Sequence, residues 1–391
     1  MNQVSENLYT LPQGWEWKKL EDIAQTTSGG TPSRSTKAFW NGSIPWLKSG
    51  ELNDGLIIKA EEFITDEGLN KSSAKIFPKG TLLIAMYGAT AGKLGFLDFD
   101  SSTNQAVCAI LNKQSMSDSK FIYYFLLGER AKIIKDSFGG AQPNISQTYI
   151  KNMDIPLPPL EEQRRIVGVL DRLFGKVDKS IALLDESIAS ASTLMPSALN
   201  EVFEELGEKW EKKFLNQVTI NHDGKRIPIK EDKRIKNING YPYYGASGIV
   251  DYVDDYIFDG EYLLISEDGA NLVIRKTPIA FIASGKFWVN NHAHIVQAIQ
   301  EITSNKYLEY FFAHVDISLY ITGAAQPKLS QKKLFEIPII IPPLDIQTQT
   351  VAYLDALHVK ADALKKAQEK KKEALLALKA SLLESAFKGE L

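Results

Sequence analysis

The sequence holds one cysteine, Cys108, in 391 residues, which excludes an internal disulfide and suits a reducing cytoplasm. Histidine is nearly as scarce: there are five, and their spacing fits no structural zinc site. His292 and His294 would share one face of a strand, but with no cysteine or acidic cluster nearby, packing or a nucleic-acid contact is expected rather than a metal. No run approaches the roughly 18 apolar residues needed to span a bilayer. Met1 to Gly14 lacks the basic and then apolar pattern of a secretory signal. Positive charge is not in excess either, since 45 Lys and Arg face 48 Asp and Glu, for a net charge of -3.

The balance holds along the chain. Residues 1–159 carry 16 basic and 16 acidic side chains, 160–207 carry 5 and 9, 208–343 carry 16 and 16, and 344–391 carry 8 and 7. Duplex binding draws most of its strength from Lys and Arg on phosphates. Such a role here requires cations gathered on one face, or partners that supply phosphate contacts.

Catalytic motifs are missing too. An adenine methyltransferase needs Asn or Asp, then Pro-Pro and an aromatic, and neither Asp154-Ile155-Pro156 nor Ile341-Pro342-Pro343-Leu344 completes that string. Gly88-Ala89-Thr90-Ala91-Gly92-Lys93-Leu94 is one residue short of a phosphate-cradling loop and ends in Leu, so it reads as a bend or a close backbone approach. No nucleophile elbow is present. The expectation is a non-catalytic chain without a cofactor of its own.

What the sequence does contain is itself, twice. Residues 139–206 align with 323–390 at a constant offset of 184, with 21 of 68 positions identical. Ala141-Gln142-Pro143-Asn144-Ile145-Ser146-Gln147 answers Ala325-Gln326-Pro327-Lys328-Leu329-Ser330-Gln331, and Pro158-Pro159-Leu160 answers Pro342-Pro343-Leu344. Upstream, Leu82-Leu83-Ile84 echoes Leu263-Leu264-Ile265, and Phe121-Ile122-Tyr123-Tyr124-Phe125 echoes Tyr307-Leu308-Glu309-Tyr310-Phe311. The period is too long for a solenoid and implies two domains with two connectors, which fits a chain too long for a single core.

Each connector opens on a Pro-Pro pair and continues as a helix. Apolar residues recur at Ile166, Leu170, Leu173, Val177, Ile181, Leu184 and Ile188, close to the 3.6-residue period of a straight helix. Pro196 is expected to kink or end it, with Ser197–Leu206 as a shorter helix. The second connector carries Leu354, Leu357, Ala361, Leu364, Leu375, Leu378 and Leu382, interrupted by a lysine-rich middle. Pairing of two such helices of about 36 residues, each reaching roughly 54 Å, is expected as an antiparallel coiled coil. The modules between them read as mixed α and β, with strands in Gly80–Ala85 and Glu261–Ile265 and one helix each at Ser119–Lys135 and Asn305–Leu319.

With the repeat, the Pro-Pro-Leu boundaries and the long helices, the chain resembles a type I restriction-modification specificity subunit over essentially its whole length. The motifs that carry this are Gln142-Pro143-Asn144-Ile145-Ser146, Ile155-Pro156-Leu157-Pro158-Pro159-Leu160-Glu161-Glu162-Gln163, Tyr241-Pro242-Tyr243-Tyr244-Gly245-Ala246-Ser247-Gly248 and Ala386-Phe387-Lys388-Gly389-Glu390-Leu391. The resemblance implies an α+β fold with a pseudo-twofold internal repeat. Its parts would be target recognition domain 1 at 1–157, a helical region at 158–207, target recognition domain 2 at 208–341 and a second helical region at 342–391. It further implies that each domain reads one half of a bipartite DNA target and that the helices measure the spacer. Two modification subunits would dock around them, bringing S-adenosylmethionine, and restriction subunits would bring ATP.

Base edges are read by Arg or Lys on guanine, Asn or Gln on adenine, and hydroxyls, usually from loops. On that chemistry the candidates in the first domain are Thr27, Ser28, Thr31, Ser33, Arg34, Lys48, Ser49, Tyr87, Lys93, Asn104 and Gln105. In the second they are Lys225, Arg226, Tyr244, Ser247, Asn271, Arg275, Lys286, Asn290, Asn291 and His292. Gln142, Asn144 and Ser146 with their copies Gln326, Lys328 and Ser330 join them, although a repeated residue suits a turn or phosphate contact better than reading two different half-sites. The competing reading is a coiled-coil scaffold whose domains bind proteins. A DNA methyltransferase or nuclease would require the missing motifs.

Overall fold

The computed structural model describes residues 9–113, 115–137, 144–230, 240–323 and 325–391, and the chain divides into two units. One comprises residues 1–183 with 371–391, the other 184–370. Two long helices, Leu160–Lys209 and Leu344–Lys388, are therefore each divided between the units.

In the first unit, a five-stranded sheet runs in the order Ala24–Ser28, Val107–Asn112, Leu82–Ala85, Leu94–Leu97, Gly55–Ile57. Leu82–Ala85 is buried at every position, as expected for a central strand packed on both faces. A four-stranded sheet built on Trp40–Leu47 lies beside it in sequence, and Glu16–Lys19 pairs with Asp154–Leu157. The second unit repeats the scheme. Phe258–Ser266 lies between Ala293–Ala298 and Ala280–Val289 in a six-stranded sheet, and Lys212–Phe214 pairs with Pro338–Ile340.

The helix Ser119–Lys135 has the bounds expected for it, because Asp118 accepts from the amides of Lys120 and Phe121 and fixes its start. Its counterpart is shorter than expected, ending at His314 rather than Leu319. Arg275 donates to the carbonyls of Phe312 and Val315, and Asp316 turns the chain by accepting from the amide of Ser318, so the helical ladder stops there. Pro196 does not end the first long helix, which runs 50 residues through it. Proline removes one amide, but Met195, Ala198 and Leu199 on either side sit in the second unit's core, and packing outweighs the lost bond. At about 1.5 Å per residue the helix is roughly 75 Å long rather than 54 Å.

The C-terminal part of each long helix packs on the unit that contains it through an equivalent aromatic triplet. In the first unit Phe387 meets Phe121 and Phe125 with ring centroids 5.1 and 5.4 Å apart. In the second, Phe203 meets Tyr307 and Phe311 at 5.7 and 5.6 Å. Within the first unit the two helices run antiparallel: Arg165 donates to the carbonyl of Leu391, while Lys379 pairs with Asp178 at 2.7 Å. Of the stripe read from sequence, Ile166, Leu170, Val177, Leu354 and Ala361 are buried and Leu173, Ile181, Leu184, Ile188, Leu357, Leu375 and Leu382 half-buried. Leu364 and Leu378 are exposed, and Phe174, Leu383, Ala386 and Phe387 take buried positions that the stripe omitted.

Each helix starts on an equivalent lock. Gln163 is fully buried, its amide donating to the carbonyls of Met116 and Pro158 and accepting from the amide of Asp118. Its copy Gln347 donates to Ile302 and Pro342 and accepts from the Thr303 hydroxyl. No helix among the described residues is long and apolar enough to cross a membrane.

Candidate nucleic-acid interface

Several candidates prove to be turns that both units share. Asn104 donates its amide to the carbonyl of Leu47 and accepts from the amide of Ala106 through its side chain; Asn290 does the same with Tyr244 and His292. Ser146 and Ser330 cap short helices by accepting from Tyr149 and Lys333. These four hold backbone in place, so the repeat does mark structure here.

In the first unit most of the remaining candidates are engaged by neighbouring side chains. Thr31 donates to Gln105, Ser28 donates to Gln147 at 2.8 Å, and Lys75 reaches the Thr27 hydroxyl at 2.6 Å. Ser33 bonds Ser35. Arg34 pairs with Glu62 and lays its guanidinium 3.8 Å from the Trp40 ring centroid and 4.9 Å from that of Trp46. Lys48 reaches both Glu61 and Glu62 at 3.1 Å, and Ser49 follows it as the first residue of a short helical turn. The Arg34 hydrogen bond, aided by Lys48, holds the Glu62 carboxyl below the usual range, against the opposing pull of burial. Tyr87 is exposed and bridges to Asn144.

Lys93 stands apart, 3.8 Å from Asp54, which Arg130 also grips. Arg130 donates as well to the carbonyl of Gly92, whose φ of 79° only glycine adopts readily. The Gly88–Gly92 run is a pinned bend. Gln142 lies outside the described residues.

In the second unit two further candidates are structural. Arg275 caps the helix Asn305–His314, as above, and Asn271 closes a loop by bonding both the amide and the carbonyl of Thr277. Tyr244 leans on Phe281 and Phe287, and Lys286 lies 4.5 Å from the Tyr256 ring centroid. Lys225, Ser247, Asn291 and Gln326 are exposed.

Arg226, His292 and Lys328 belong to a charged cluster that sequence reading missed. Arg226 bonds Glu267 at 2.5 Å and lies 3.4 Å from Asp223. His294 is 1% exposed, with Nδ1 2.6 Å from Asp223 and Nε2 2.7 Å from the carbonyl of Leu329. Lys328 reaches the other oxygen of Glu267 at 3.1 Å, and His292 Nδ1 donates to Asp268 at 2.8 Å. The expectation of no acidic residues near these histidines is thus corrected: Asp223, Glu267 and Asp268 are distant in sequence and close in the fold. His292 also precedes the strand, which begins at Ala293, so the two rings differ in burial. Among the described residues no group of three His, Cys, Asp or Glu could hold a metal ion.

Burial raises the Glu267 pKa, but hydrogen bonds from Arg226 and Lys328 and the charge of His294 outweigh it and leave the carboxyl below its ordinary 4.5. A carboxylate lowered on folding stabilises the protein above its unfolded pKa, and that contribution is lost as pH falls through the folded value. Thermal unfolding followed from pH 7 downward is therefore expected to show a decline below about pH 4.5 that Glu267→Gln flattens. A variant with an unchanged acid slope would remove Glu267 from the stabilising groups.

A family model described as "Type I restriction modification DNA specificity domain" matches residues 12–186 and again 207–373. The EcoprrI specificity subunit of Escherichia coli is 27% identical over 359 residues, covering 87% of this chain and 86% of that protein. The MjaIX specificity subunit of Methanocaldococcus jannaschii is 25% identical over 371 residues, with 86% and 85% covered. A putative specificity subunit of Haemophilus influenzae, S.HindORF215P, is 38% identical over 151 residues, which cover 39% of this chain and 38% of that protein. Among solved structures, one from work on assembly and conformational transition of a type I restriction-modification system superposes with a TM-score of 0.80 at 21% identity, covering 98% and 100% of the two chains. The HsdS subunit of Thermoanaerobacter tengcongensis gives 0.60, also at 21% identity, covering 99% and 100%. With two matches that together span most of its length, on a fold that repeats as its sequence does, the chain belongs to the type I restriction-modification DNA specificity family.

Proposed function

We propose that this chain selects DNA for a type I restriction-modification complex, each unit reading one half of a two-part duplex target and doing no chemistry itself. One observation carries the reading: two units share a backbone frame, yet the exposed side chains on that frame differ, as two half-sites of different sequence require. In this reading the long helices set the interval between half-sites and dock two modification subunits. Those subunits would bind S-adenosylmethionine and methylate adenine, and restriction subunits, where present, would use ATP. The charge pattern supports a division of labour, because Arg34, Lys48, Arg226 and Lys328 are all engaged by carboxylates. Partners that neutralise phosphates would leave this chain to the base edges.

The test is to map methylated adenines across the genome with and without the gene, and to measure duplex binding by the assembled complex against salt. Loss of one bipartite methylation pattern, with salt-sensitive binding, is expected. Binding that is absent even with modification subunits present would favour a protein scaffold.

The spacing role has its own test. Four residues inserted into both long helices, after Leu183 and after Lys370, add one turn, about 6 Å, against about 3.4 Å per base pair. The tolerated spacer should lengthen by about one or two base pairs with both half-sites unchanged. An unaltered spacer would remove the helices as the measure.

A further inference from the structure

The two units can be compared position by position, because the same backbone bonds frame the same place in each. In the first unit, Met86 donates to the carbonyl of Ala106 and accepts from Ile145; in the second, Glu267 donates to His292 and accepts from Leu329. An antiparallel bridge follows each, Tyr87 with Asn144 and Asp268 with Lys328. Across the sheet, Ile84 faces Cys108, and Ile265 faces His294. The frame is therefore constant while its side chains are exchanged. Where the first unit places Met86, Ala106, Cys108 and Asn144, the second places Glu267, His292, His294 and Lys328.

The first unit demonstrates that this frame closes with apolar groups: Met86 is 1% exposed and Cys108 0%. Burying charge in their place carries a desolvation penalty that well-packed apolar residues avoid. The fold does not require the charges, so their geometry points to another use. The His294 ring is bonded to the carbonyl of Leu329, the residue after Lys328, and so pins the segment that carries the lysine. Glu267 divides its oxygens, one turned to Arg226 and one to Lys328. Asp268, between them in the bridge, occupies Nδ1 of His292. A carboxylate there accepts from Nδ1, so the tautomer it selects carries its proton on Nδ1 and presents Nε2 as an acceptor. The side chains of Lys328 and His292 remain 53% and 51% exposed.

A donor ammonium on Glu267 and an acceptor imidazole on Asp268 thus stand on two adjacent carboxylates of one rigid base. In the major groove a G·C pair presents the acceptors N7 and O6 of guanine beside the N4 amino donor of cytosine. We infer that Lys328 and His292 read one G·C pair within the second unit's half-site, Lys328 on guanine and His292 Nε2 on the cytosine amino group. Glu267, Asp268 and His294 act as positioning residues. The inference rests on the DNA-reading function proposed above and assigns which residues of the second unit face the bases.

The experiment uses the complex assembled with its modification subunits and duplexes in which each base pair of both half-sites is replaced in turn. Lys328→Ala and His292→Ala are each expected to lose about ten- to hundredfold discrimination at the same G·C position, with the first unit's half-site unaffected. Asp268→Ala should weaken that discrimination too. Asp268→Asn, which still offers Oδ1 to Nδ1, should restore most of it. A uniform loss of binding over all sequences, with the salt slope lowered by about one, would make Lys328 a phosphate contact and overturn the assignment. So would relaxation at two different positions, or intact discrimination in both variants. A wild-type complex indifferent to every base pair would overturn the proposed function along with it.

Discussion

A complex in which residues 15–140 come from a relative with a different target should methylate sites with a new first half and the original second half. The segment contains every strand of the five- and four-stranded sheets of the first unit and the helix Ser119–Lys135, together with all of that unit's candidate readers except Gln142, Asn144 and Ser146. It ends at the start of the stretch that the chain repeats, 139–206 against 323–390, and leaves in place the part from Ser146 through the long helix. Groups that receive the graft are thus the repeated ones: Gln147, Gln163 and the aromatic Phe387. Each mismatched base pair in a specific site carries about 1–3 kcal/mol, so three exchanged pairs alter preference by roughly a thousandfold or more. Methylation mapped on a library of duplexes would measure it. If both halves of the target changed together, the units would not be independent readers.

The second large effect concerns stability. Gln163→Leu leaves the buried carbonyl of Pro158, and the half-buried carbonyl of Met116 and amide of Asp118, without their side-chain partner, since among the described residues Gln163 bonds all three. At about 1–3 kcal/mol for each orphaned group, toward the lower end for the two that water can reach, the total is about 3–6 kcal/mol, a large share of a typical domain's stability. Gln347→Leu orphans the carbonyls of Ile302 and Pro342 and the Thr303 hydroxyl, and should cost a similar amount. At roughly 2–4 °C per kcal/mol for units of this size, each variant should melt about 10 °C or more below the parent. A drop under about 3 °C in both would mean that water replaces the amide and that the lock contributes little.

Much of this architecture could be read from residues alone. The helix Ser119–Lys135 was readable to its ends because apolar periodicity and the Asp118 cap agree. The helix after Ser304 was overrun, because the signal that stops it, Arg275 on its last carbonyls, lies 30 residues upstream in a different element. Pro196 misleads for a related reason: a helix held by core contacts on both sides tolerates a missing amide that an isolated helix would not. The interface was harder. Asn104, Asn290 and Arg275 have the composition of base readers, but the two asparagines turn Oδ1 and the arginine its guanidinium to backbone, and nothing local in sequence distinguishes the two uses. Asp223, Glu267 and His294 went unread because acids are not expected beside phosphate and these three converge only when strands far apart in sequence pair. A signal did exist in the divergence of the two copies at Met86 and Glu267, where one copy is apolar and the other charged.

Sharing the long helices between units has a consequence for synthesis. The core under Phe121 and Phe125 is closed by Leu383, Ala386 and Phe387, more than 250 residues later. A ribosome adding about 5–20 residues per second must therefore expose that apolar face for many seconds after the strands around it are complete. The second unit is made, from Leu184 to Lys370, entirely within that interval. The first unit to leave the ribosome is thus the last able to finish folding, and a nascent-chain binding factor has its clearest target there.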